Sequence, residues 1–368
     1  MNIGFITFHR VQNSGAILQA YALQTVIKQM GHDATFIDYH PSMFSRYDSI
    51  FRRGFQPKTL LRNLYTLTKY KTIRCMYGRF DSFIEQHLCL TDKQYVTSSE
   101  LQDTPPIFDA YICGSDQIWN PQMDTEMGKP YFLGFAPAGT CRIAYAPSFG
   151  VSEIPADRKE TIAHHINAFD FLSVREKQGQ TIIKQLTDRD ATLVLDPTLL
   201  LSAESWQTVA NPTPIEEPYI LIYAVMTGSI AELVAEVKRK TGMKTVAIYS
   251  GLSSIPIPNV DYVLRDIGPT EFIGLFQNAA ATVVNTFHGT VFSIIHRKPF
   301  LVTSGQKPSR IISLLDILDL SSHWISDVNS VPPNELIDRI DSNITGIAFN
   351  LEPYQQKSLS FLKNALKS

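Results

Sequence analysis

Residues 2–39 read NIGFITFHR VQNSGAILQA YALQTVIKQM GHDATFIDY, and this stretch decides the fold. Residues 2–8 are a short apolar strand, and the polar residues 9–14 follow as a loop. From Gly15 to Met30, the residues Ala16, Ala20, Leu23, Ile27 and Met30 step by four and three, the spacing of one helix face. Gly31 then gives a stop signal, and residues 34–39 make the next strand. Strand, helix and strand at this length form one right-handed parallel unit.

The same rhythm governs most of the chain. Strands are expected at residues 110–113, 142–146, 171–174 and 193–195. Residues 211–218 hold three prolines and two glutamates and read as a linker. Beyond it, strands at 219–225, 244–249, 281–285 and 300–303 alternate with helices at 229–241, 270–278, 288–296 and 310–318. Such alternation predicts an α/β chain with two doubly wound sheets facing one another. The expected units are a domain over residues 1–210, a second over 211–350, and a C-terminal helix over 351–368. No internal repeat or low-complexity tract interrupts them.

Residues 41–107 break the rhythm and are expected to be a mainly helical insertion. Within 41–80, nine Lys/Arg face a single acid, Asp48, so the segment is locally +8. It also carries Phe44, Tyr47, Phe51, Phe55, Tyr65, Tyr70, Tyr77 and Phe80. Two readings stand side by side. The insertion packs its aromatics on the first domain with a solvated basic face, or it docks peripherally on an anionic inner membrane face.

Composition removes several classes. The 368 residues are 44% hydrophobic with a formal net charge of -2, which gives no global electrostatic case for nucleic acid. Cys75, Cys89, Cys113 and Cys141 show no Cys-x-x-Cys spacing, so neither a zinc site nor a disulfide framework is expected. No cluster of metal-ligand residues stands out, and Asp188-Arg189-Asp190 is an isolated acidic pair, so no metal is expected. The apolar start lacks the basic residues of a signal peptide, and no run is long enough to span a bilayer. A reducing cytoplasm is the expected location.

In doubly wound folds, ligands bind beyond the carboxyl ends of the strands. Five groups of residues fall there. In the loop at residues 9–15, Asn13 or Ser14 caps the helix while Gly15 lets backbone approach a ligand. Ser115, Asp116, Gln117 and Trp119 follow the strand at 110–113, and Trp119 is either a platform for a sugar ring or a core residue. Arg175 can grip a carboxylate or phosphate, or pair with an acid such as Glu176. His288 sits where strand becomes helix, an acid or base beside N–H groups at Gly289 that attract anions. Lys307 and Arg310 open a late helix. Two cations, a histidine at a helix start and a glycine loop together suit a small, doubly anionic ligand.

These motifs resemble the polysaccharide pyruvyltransferase family. The likeness runs through residues 5–39 with Asn13-Ser14-Gly15, then 112–120, 144–150, 172–176, Leu195-Asp196-Pro197-Thr198, Thr286-Phe287-His288-Gly289 and Arg310. It recurs in family order from about residue 3 to 320. Thr286 stands where the family pattern often has Ser, and the hydroxyl is kept. The resemblance implies two Rossmann-like domains similar to GT-B glycosyltransferases, with phosphoenolpyruvate as co-substrate and no resident cofactor. It implies a cyclic ketal on a sugar of a cell-surface polysaccharide precursor, and release of phosphate. It implies anion binding by Arg175, His288 and Arg310. His288 is then the expected proton-transfer group, Asp116 its weaker catalytic partner, and Gly289 part of the phosphate cradle. The acceptor sugar, free or lipid-linked, stays open. The rivals are a GT-B glycosyltransferase using a nucleotide sugar and a non-catalytic anion- or glycan-binding protein.

Overall fold

The computed structural model describes residues 1–41, 50–51, 54–122, 129–224, 230–249, 257–303, 309–327 and 351–367. The first sheet contains β1 (Asn2–Ile6), β2 (Asp33–Phe36), β3 (Ala110–Cys113), β4 (Cys141–Ala144), β5 (Phe171–Val174) and β6 (Thr192–Leu193). All pairings are parallel, in the order β2-β1-β3-β4-β5-β6. The register sets Phe5 beside Phe36 and Ile112, so buried apolar side chains sit in rows. The second sheet contains β7 (Tyr219–Tyr223), β8 (Lys244–Ile248), β9 (Tyr262–Leu264), β10 (Ala281–Val284), β11 (Phe300–Thr303) and β12 (Trp324–Ile325). Its order is β12-β11-β10-β7-β8-β9, again wholly parallel. The chain is therefore two doubly wound, Rossmann-like α/β units. The strand order reverses between β1 and β3 in one sheet and between β7 and β10 in the other, and such switch points are where ligands bind.

Among the helices are α1 (Ser14–Gln29), α2 (Pro57–Thr68), α3 (Tyr70–His87), α4 (Pro269–Asn278), α5 (Phe287–Ile295), α6 (Ser309–Ile317) and α7 (Leu351–Ala365). Helix α1 starts where Asn13 accepts the Ala16 N–H at 3.2 Å. The two halves share one continuous apolar cluster: Leu18 and Trp206 belong to it together with Phe272, Phe292 and Leu362. Trp206 is its hinge pin, lying 5.6 Å from Tyr21 of α1 and 5.1 Å from Phe292 of α5, ring centre to ring centre.

Three differences from the sequence reading are structural. Most strands end one to three residues earlier than their apolar runs. The chain leaves the sheet at Thr7, Tyr145 and Val194. The short edge strands β9 and β12 were not anticipated, because three and two residues without alternation give no periodic signal. Helix α7 follows the second sheet in sequence yet returns to the first. Ser358 accepts the Leu195 N–H at 2.9 Å, and Gln355 donates to Leu199 O at 2.6 Å. Phe44 and Tyr47 of the insertion lie outside the described residues.

Candidate active site

Arg175 follows β5 and is fully enclosed. Its Nη1 donates to Asp196 Oδ2 at 2.7 Å and its Nη2 to Asp116 Oδ1 at 3.0 Å. The guanidinium lies over the Phe287 ring of the other domain at 4.5 Å. His288, second residue of α5, directs Nε2 toward the same Asp196 Oδ2 at 3.8 Å, longer than a direct hydrogen bond. Its opposite nitrogen faces Gly15: a Cβ on Gly15 would lie 2.2 Å from His288 Nδ1. Only a residue without a side chain lets the first domain approach the imidazole this closely. One carboxylate oxygen thus gathers a cation from the first domain and a histidine from the second.

Asp196 earns that place through its neighbours. Its Oδ1 accepts from the Thr198 N–H at 3.1 Å and the Thr198 hydroxyl at 2.6 Å, which leaves Oδ2 for Arg175. Ser115 Oγ adds a contact to Oδ2 at 3.0 Å. In the sequence Asp196 ends a strand before Pro197 and belongs to a family motif, with no role assigned to it in the site. Its pairing with Arg175 is non-local and gives no local signal.

The charges have clear directions. Burial pushes the Asp196 carboxyl up, but His288, Arg175 and Thr198 more than reverse this and hold it well below the usual carboxylate range. Asp116 behaves alike: burial raises it, and Arg175, His288 and Arg310 bring it below its ordinary value. Burial raises Glu176 beyond what Arg175, Ser148 and Arg310 can offset. Arg310, at the start of α6, is lowered by burial and by the like charge of Arg175. Two guanidiniums therefore face two firmly ionised carboxylates, and Arg310 is the less compensated cation. With its amide oxygen turned to Arg310, Gln117 accepts from Nη1 at 3.0 Å and from Nη2 at 3.2 Å.

The structure brings His288, Asp116, Arg175, Arg310, Gln117 and Gly15 together at the junction, and it changes the part several candidates play. Arg175 is 3% exposed and bound to two aspartates, so it organises the site from within instead of standing open as a clamp. Ser115 is fully buried and joins Ala146 O to Asp196, so it braces loops and does not face a substrate. Trp119 does not offer a sugar platform. It is 2% exposed, stacks on Phe132 at 4.9 Å and donates its indole N–H to Tyr131 O, because an aromatic of that size gains more from the core. The Gly289 N–H is taken by Thr286 Oγ1 at 3.0 Å, and a Cβ there would crowd Thr286 and Val284. Gly289 is thus a packing and capping residue, not an anion donor. Asn13 is the cap of α1 and stands exposed at the edge of the loop. His9 and Arg10 are held by Asp38, the latter through Nη2 to Oδ2 at 2.7 Å. Lys307 lies outside the described residues. Among the described residues, no group of three or more His, Cys, Asp or Glu is placed to hold a metal ion.

Two doubly wound α/β units thus meet on a buried cluster of Arg175, Asp196 and His288. Residues 13–306 match the family described as polysaccharide pyruvyl transferase. The chain belongs to that family, and so to the transferases of polysaccharide biosynthesis. No curated protein matches it in sequence. Among solved structures it is similar to UDP-GlcNAc 2-epimerase from Methanocaldococcus jannaschii, with 9% identity, 100% of each chain covered and a TM-score of 0.53. It is also similar to the spinosyn rhamnosyltransferase SpnG, with 13% identity, 100% of each chain covered and a TM-score of 0.45. The epimerase likeness is one of fold alone.

Proposed function

We propose that this transferase takes phosphoenolpyruvate as donor and builds a cyclic pyruvyl ketal on two hydroxyls of a sugar in a cell-surface polysaccharide precursor. The observation that carries the reading is the convergence of Arg175 and His288, from opposite domains, on one oxygen of Asp196. The family gives the pyruvyl transfer, and the cluster supplies the groups it needs. Arg310, short of a counter-charge, takes the phosphate or carboxylate of the donor. Arg175 adds a fixed positive potential behind it, and Asp116 is the only one of its two closest partners with solvent access, at 14% of its side chain.

The reaction moves two protons. One sugar hydroxyl adds to the central carbon of the donor, and the methylene carbon takes a proton to become methyl. The second hydroxyl then attacks the same carbon, the C–O bond to phosphate breaks, and the remaining proton leaves with phosphate. Asp116 and Asp196 are both held below their ordinary values and both are engaged by Arg175. We assign the proton transfer to His288, whose Nε2 lies 3.8 Å from Asp196 Oδ2 where the two domains meet.

Calorimetric titration with phosphoenolpyruvate tests the donor site. Wild type should bind saturably, and Arg310→Gln should bind at least about tenfold more weakly, the cost of one charge-assisted contact. Equal affinity in the variant, or binding of a nucleotide sugar in place of phosphoenolpyruvate, would refute the assignment.

A further inference from the structure

Helix α2 is packed inside out. Its polar side faces the protein: Thr66 is buried, and Thr59, Arg62 and Asn63 are half-buried. Its leucines face water, with Leu60 52%, Leu61 68%, Leu64 62% and Leu67 58% exposed, and Tyr65 46% exposed beside them. The spacing i, i+1, i+4, i+7 puts these leucines on one face. Phe55, just before the helix, is 93% exposed. The next helix, α3, behaves in the ordinary way and buries Ile73, Met76, Phe80, Phe83 and Ile84. An apolar helical face left in water marks an interaction surface.

Charge selects the occupant. From residue 50 to residue 80 the sequence holds no acid, while Lys58, Lys69, Lys71 and Arg74 flank the leucine face in sequence. Lys58, Lys71 and Arg74 are exposed. A second copy of the same face would set like charge against like. No helix among the described residues is long and apolar enough to cross a membrane, and α2 has only 12 residues. A short helix with leucines on one face and a basic rim suits the plane of a negatively charged lipid surface. We propose that α2 is a membrane-docking helix that lays Leu60, Leu61, Leu64 and Leu67 into an anionic phospholipid bilayer. Arg79 of the following helix, α3, pairs with Asp266 at 3.5 Å and Glu271 at 3.6 Å, so the helix next to α2 is tied to the second domain.

The test is sedimentation of the full chain with vesicles of phosphatidylglycerol and phosphatidylcholine in equal parts, beside vesicles of phosphatidylcholine alone. The wild type should pellet with the anionic vesicles and be released as salt rises to about 0.5 M. Leu61→Glu with Leu64→Glu should lower the bound fraction at least about tenfold while the thermal midpoint stays unchanged, since both sites are open to solvent. If that pair fails to fold, Leu61→Ser with Leu64→Ser gives the same reading. No binding by wild type, or binding indifferent to both pairs, would overturn the proposal. So would a wild-type dimer that the substitutions convert to monomer without any vesicle binding.

Discussion

His288→Ala should lower phosphate release from phosphoenolpyruvate by about a hundred- to ten-thousand-fold, the usual contribution of a positioned proton-transfer group. The imidazole stands between Gly15 and Asp196, is held at a helix start by the Thr286 cap, and has Asp196 Oδ2 at 3.8 Å. The stability cost should stay within about 1–2 kcal/mol, because the ring leaves only a small gap. His288→Gln should keep the shape and still fail to turn over. Circular dichroism and thermal melting separate lost chemistry from lost fold. Normal turnover in either variant would remove His288 from the mechanism.

Asp196→Asn should be the most damaging substitution for stability, at about 3–5 kcal/mol, because it strips a fully buried guanidinium of its shortest partner. Arg175 would retain Asp116, which is partly exposed and 3.0 Å away, and a more distant Glu176 at 3.9 Å. The thermal midpoint should fall by on the order of 10 °C. The sign with pH is fixed by the direction of the carboxyl. Its folded value lies below the ordinary one, so its stabilisation is present above about pH 4 and fades as pH drops toward the native value. The gap between wild type and Asp196→Asn should therefore narrow in acid. Equal midpoints at neutral pH would show that Asp196 does not hold the cluster.

The sequence carried the architecture further than the site. Ala16, Ala20, Leu23 and Ile27 announce α1, and the apolar runs at 110–113 and 300–303 announce their strands, because those signals are periodic and local. What failed was non-local. Asp196 looks like the end of a strand before Pro197, yet its Oδ2 serves Arg175 from a different strand while its Oδ1 takes the Thr198 N–H. Trp119 is the same letter in a core or on a sugar platform, and only the Phe132 and Tyr131 contacts decide. The leucines of α2 have the period of a buried face. Their exposure follows from where the chain places the helix, which no count of residues reveals.

Transfer of a pyruvyl group from phosphoenolpyruvate by the cluster around Asp196 is the proposal on which the other assignments rest. The most direct measurement incubates the full chain with phosphoenolpyruvate and a panel of glycans, reading phosphate release beside the mass of the acceptor. Phosphate should appear in step with the gain of one pyruvylidene group, and neither should appear with a nucleotide sugar. A glycosyl gain from a nucleotide sugar, or an unchanged acceptor across a panel that spans the common surface sugars, would contradict it.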